Sequence, residues 1–83
     1  MIAIEVIGLD PPCKKCNELL DNVRQAVNNL AIEASVEKKW ILSEEIRNKY
    51  GILLSPALVV NGIVVAQGKV YTRQRIQGLL MGD

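Results

Sequence analysis

"ALVVNGIVVA", residues 57–66, is the stretch on which the fold turns. Two runs of apolar, mostly β-branched residues, 57–60 and 63–66, are separated by Asn61-Gly62 alone. That pair tolerates the positive φ needed at both central positions of a type I′ turn, whose twist matches the strands it joins. The stretch therefore predicts an antiparallel hairpin, and the remaining elements are placed around it.

Downstream, Thr72 is positioned to cap a last helix that carries Ile76, Leu79 and Leu80 inward, with Gly78 weakening it slightly. Upstream, Ser43 caps a short helix with Glu44 and Glu45 in its first turn, and Gly51 closes it. Before that, "IEASVE" (32–37) alternates Ile32, Ala34 and Val36 with Glu33, Ser35 and Glu37, the pattern of a half-buried strand. At the start of the chain "IAIEVI" (2–7) is nearly apolar on both faces, which suits a central strand covered on each side.

Between these strands lies "DPPCKKCNELL" (10–20), which holds both cysteines of the chain. A residue that precedes proline is pushed out of the helical region, so Asp10 and Pro11 are expected to be extended. From Cys16 onward, Leu19, Leu20, Val23, Ala26, Val27 and Leu30 recur at helical spacing, predicting a helix from about Cys13 to Leu30. Cys16 heads the buried stripe of that helix and Cys13 sits at its exposed N-terminal edge. The predicted order is βαβ followed by αββα: a parallel pair with a crossover helix, then a hairpin and a helix returning onto the sheet.

Two cysteines three positions apart can be a redox dithiol, part of a soft-metal site, or a structural clip. Disulfide exchange requires a thiolate, which the first turn of a helix favours through its unsatisfied N–H groups and the positive end of its dipole. Cys13 has that place, with Lys14 and Lys15 adding positive charge beside it. Two cations there oppose the helix dipole at some tenths of a kcal/mol each. A local rule broken without structural gain points to function. Lys14 and Lys15 are therefore candidate tuning residues, Cys13 the candidate nucleophile and Cys16 the residue that resolves a mixed disulfide.

The βαβαββα order with C-x-x-C between the first strand and first helix resembles the thioredoxin fold at its minimal, glutaredoxin-like size. "KYGILLSPALVVNGIVVAQG" (49–68) is similar to the passage of that family in which Tyr-Gly-Ile precedes a cis-proline, a strand, a turn and a second strand ending in Gly. The resemblance covers nearly the whole chain. It is closest to the small thioredoxin-like redox-active disulfide proteins, and it implies a four-stranded mixed sheet flanked by three helices in one domain spanning residues 1–83. It also implies that Pro56 is cis and packs against the C-x-x-C, and that the backbone of Ser55 pairs with an extended substrate segment.

The departures shape the expected partners. Where thioredoxins have Trp before the first cysteine and Gly-Pro between the two, this chain has Pro12 and Lys14-Lys15. The buried acid that assists the second cysteine in thioredoxins has no clear counterpart, since alternation turns Glu5 the wrong way. Glutaredoxins place Pro-Tyr between the cysteines, Thr-Val before the proline, and a double glycine with an acidic residue for glutathione. Here the corresponding stretches are Leu54-Ser55, Gln67-Gly68 and a helix start at Arg73. Glutathione is thus not the expected partner. Protein disulfides and a thioredoxin-reductase-like or other electron donor are, with no bound cofactor and no metal.

The rival reading is a Cu(I) or other soft-metal carrier holding its ion through Cys13 and Cys16. Small copper chaperones also put C-x-x-C between a first strand and helix, but with Met where this chain has Pro11, and in the order βαββαβ. With no His and no further Cys, a structural zinc site would lack two ligands.

Composition narrows the rest. Ten basic and nine acidic residues leave a net charge of +1, with no like-charge run and three aromatics, so nucleic acid is not an expected partner. Residues 46–83 hold five of the basic groups and one acid, a modestly cationic half that reads as a solvated face or as a docking surface for an acidic partner. "MIAIEVIG" lacks the basic start of a signal peptide and no segment is long enough to span a bilayer, so a cytoplasmic location is expected. There a lone cysteine pair is more often catalytic or metal-binding than a staple. Trp40, Tyr50 and Tyr71 read as packing residues.

Overall fold

The computed structural model of the chain describes residues 1–9 and 13–81. Seven elements follow in the expected order: β1 (Ile2–Gly8), α1 (Lys14–Leu30), β2 (Ala34–Trp40), α2 (Glu44–Tyr50), β3 (Ala57–Val60), β4 (Ile63–Gln67) and α3 (Arg73–Leu80). They form one four-stranded mixed sheet in the order β2-β1-β3-β4. β1 runs parallel to β2 and antiparallel to β3, and β3 is antiparallel to β4. The expectation about Asp10 and Pro11 lies outside the described residues.

The alternation of β1 divides the core between two layers. Ile4 and Val6 face α1 and α3, meeting Leu19, Val23, Ala26, Leu58 and Ile76. Ile7 faces the other way, against Ile46 of α2, Leu53, Ala57 and Val59. A strand buried on both faces must be apolar on both, which is why β1 is the central parallel strand.

The hairpin forms as its sequence demands. Asn61 (φ 51°) and Gly62 (φ 81°) both take positive φ, and Val60 pairs directly with Ile63. The register slips by one residue between Leu58 and Val59, so that Val65 of β4 is the extra, bulged residue. The turn is also tied to β1: Asn61 donates its backbone N–H to the Ala3 carbonyl at 2.7 Å, and its Oδ1 accepts from the Ala3 N–H at 2.9 Å.

Three expectations are corrected. β2 runs over Ala34–Trp40 rather than beginning at Ile32, because its extent is set by parallel pairing with β1, from Ile2↔Ala34 to Gly8↔Trp40. Trp40, expected to pack, ends an edge strand 46% exposed. On α3 Ile76 is fully buried and Leu80 packs at the core margin, whereas Leu79 lies on the flank of the helix, outside both core clusters. The helix caps stand as expected: Ser43 Oγ accepts from Ile46 N–H and Thr72 Oγ1 from Arg75 N–H. No helix among the described residues is long and apolar enough to cross a membrane.

Candidate active site

At the C-terminal end of β1 the chain turns into α1, and the cysteines occupy the first positions of that helix. Cys13 is its N-cap, with extended backbone (φ −78°, ψ 169°). Its sulfur accepts a hydrogen bond from the Cys16 N–H at 3.3 Å, the place a Ser or Asp oxygen usually takes at a helix start. A half-buried sulfur thus stands over the unsatisfied amides of the first turn, at the positive end of the dipole. Lys14 and Lys15 are exposed at the first two helical positions, with no acid in the first turn.

Cys16 lies one turn deeper and is 3% exposed. Two features seat its sulfur. The first is Gly8, the last residue of β1: a Cβ there would stand 2.7 Å from the sulfur, so only glycine admits so close an approach. The second is Ser55, whose Oγ is 3.5 Å from Cys16 Sγ. Burial pushes the Cys16 thiol up, but hydrogen bonding to Cys13, to Ser55 and to the backbone of Leu9 and Cys13 outweighs it. The net result is a thiol lowered from its ordinary 9.0 to about 7.

Ser55 reaches the cysteines because its loop is clamped. The Gly68 N–H, at φ 70°, donates to the carbonyls of Leu54 (3.2 Å) and Pro56 (2.9 Å), and the Leu54 N–H donates to Gln67 Oε1 at 3.0 Å. The Ser55–Pro56 peptide bond is cis and Pro56 is fully buried. Gly8 and the Gln67-Gly68 clamp were not singled out as site residues from the sequence. A glycine ending an otherwise apolar strand just before C-x-x-C was the available signal for Gly8.

Glu5 is turned away from the cysteines. It lies on the α2 layer, where it accepts a hydrogen bond from the Tyr50 hydroxyl and has Lys49 Nζ at 4.0 Å. Burial first, and the Glu5 carboxylate second, push the Tyr50 phenol up to about 12. Tyr50 is therefore a structural partner of Glu5, and alternation along β1 accounts for the missing acid beside Cys16. Among the described residues no three potential ligands of the His, Cys, Asp and Glu types come together.

Beside Ser55 opens a shallow apolar cavity of about 460 Å³, whose lining includes Leu9, Leu42, Arg47, Ile52, Leu54 and Ser55. Ile52 is 91% and Leu54 66% exposed, and large apolar side chains so exposed around one cavity suit an interaction surface.

The comparisons with known proteins agree with this geometry. The thioredoxin domain family matches residues 2–81. A thioredoxin of Methanothermobacter thermautotrophicus is 30% identical over 80 residues, covering 96% of this chain and 99% of that protein. A thioredoxin of Methanocaldococcus jannaschii is 27% identical over 77 residues, covering 93% of this chain and 84% of that protein. Matched by the family over residues 2–81 and by two thioredoxins along nearly its whole length, this chain belongs to the thioredoxin domain family.

Proposed function

We propose that the protein is a thiol–disulfide oxidoreductase acting on protein disulfides, with Cys13 as nucleophile and Cys16 as resolving thiol. One observation carries the reading: a half-exposed sulfur caps a helix while its partner, one turn deeper, lies buried against Gly8 and Ser55.

The Cys13 thiolate attacks one sulfur of a substrate disulfide. A Cys13–substrate bond forms, the substrate S–S bond breaks, and the leaving sulfur takes a proton. Cys16 then attacks Cys13, closing the Cys13–Cys16 disulfide and releasing the second substrate sulfur as a thiol. Two electrons have passed from the dithiol to the substrate. An electron donor, a reductase of the thioredoxin-reductase kind or another dithiol, returns the pair to the reduced state in the cytoplasm.

Negative charge is spread over three sulfurs as exchange proceeds. Lys14 and Lys15, exposed beside Cys13, are the cations that stabilise it. The apolar cavity supports a protein rather than a small-molecule substrate, with an extended segment lying along Leu54, Ser55 and Pro56.

The test is a redox titration of metal-free protein in dithiothreitol buffers, read by mass after alkylation. A reversible two-electron transition between about −180 and −280 mV is expected. A midpoint well below about −300 mV would mark a structural disulfide. If no intramolecular disulfide forms, the redox reading fails and Cu(I) binding at the same pair is the one to measure.

A further inference from the structure

We infer that the Ser55 side-chain hydroxyl holds the Cys16 sulfur ready for the resolving step. Among the described residues no carboxylate acts on this sulfur. The inference rests on the disulfide-exchange reading above and assigns Ser55 a side-chain role distinct from that of its backbone.

Cys16 is buried, yet its sulfur must give up a proton to attack Cys13. Burial alone opposes this, and some group must offset it. Glu5 is the acid of β1, the strand next to α1, and it faces the opposite layer of the sheet, engaged by Tyr50 and Lys49. Among the described residues, the side chains in hydrogen-bonding relation to the Cys16 thiol are those of Cys13 and Ser55. During resolution Cys13 is tied to the substrate and becomes the atom under attack. That leaves Ser55.

A hydroxyl suits the task because it rotates. It accepts from the Cys16 S–H before reaction and donates its own hydrogen to the sulfur as the proton departs. The step balances without another reagent: the Cys16–Cys13 bond forms, the Cys13–substrate bond breaks, and the Cys16 proton ends on the departing substrate sulfur. Geometry holds the contact in place from both sides. Gly8 lets the sulfur sit against β1, and the Gly68 and Gln67 bonds pin the loop that carries Ser55.

The test compares Ser55→Thr, which keeps the hydroxyl, with Ser55→Val, which has the same shape without it. Reduced proteins are titrated by ultraviolet thiolate absorbance, then mixed with 5,5′-dithiobis(2-nitrobenzoate). Attack by Cys13 releases the first thionitrobenzoate and resolution by Cys16 the second. In S55V the titration near neutrality should move up by roughly one pH unit. Its second release phase should slow about tenfold, the scale of a hydrogen bond to a charged group, and by more than the first phase does. S55T should match the wild type in both. Variants indistinguishable from each other in titration and second phase overturn the inference. A wild-type protein with no second phase overturns the functional reading itself, and the inference with it.

Discussion

Two sulfurs one helical turn apart have been given different environments by the same short stretch of chain. Cys13 takes the cap position of α1, a role filled by oxygen in most helices, while Cys16 faces inward against Gly8. The lowered titration of Cys16 has a thermodynamic consequence. It titrates near 7 in the folded protein and at its ordinary 9.0 when unfolded. Between those values the unfolded chain binds more protons, so stability rises with pH. The reduced protein should therefore gain stability from about pH 7 to pH 9 and lose that contribution as pH falls through about 7. Urea unfolding under excess reductant at either end of the window checks this. Cys16→Ser should flatten the difference, and an equal pH response in that variant would sink the assignment.

At the scale of elements, the hairpin is more than a local turn. Asn61 satisfies the first exposed amide of β1 as well as supplying a positive φ, so it joins β3–β4 to the start of the sheet. Asn61→Ala loses the side-chain acceptor and puts in the left-handed region a residue that tolerates it less well than Asn. A cost of about 1–2 kcal/mol follows, or a melting-temperature drop of roughly 4–16 °C for a domain this size. Asn61→Gly keeps the backbone freedom and loses only the bond to Ala3, so it should cost less. Equal losses for the two would show that conformation contributes nothing and the hydrogen bond everything.

For the molecule as a whole, the charges matter by where they gather. Lys39 is engaged by Glu37 and Glu45, and Lys49 by Glu5, so three acids are matched on the sheet edge and the α2 layer. Lys14 and Lys15 stand exposed in the first turn of α1, and Arg47 lines the apolar cavity. Exposed cations raise the encounter rate with acidic partners and do so most at low salt. Replacing Lys14 and Lys15 together by Ala should lower kcat/KM for a protein disulfide several-fold at low ionic strength, with the gap closing as salt is added. An unchanged rate at low salt would remove both lysines from the site.

The sequence by itself determined what is written in local periodicity and turn chemistry. The hairpin at Asn61-Gly62, the caps at Ser43 and Thr72, the buried stripe headed by Cys16 and the central place of β1 are all consequences of neighbours in the chain. Each is decided within a turn of helix or a pair of strand residues, where backbone sterics and alternation leave few options. What only the tertiary structure decided are contacts between residues far apart. The register with β1 moved β2 on to Trp40, the strand's alternation paired Glu5 with Tyr50 on the far layer, and the clamped loop set Ser55 Oγ 3.5 Å from Cys16 Sγ. Gly8 belongs with these. Its lack of a side chain matters only because a helix that begins six residues later turns its sulfur onto that spot.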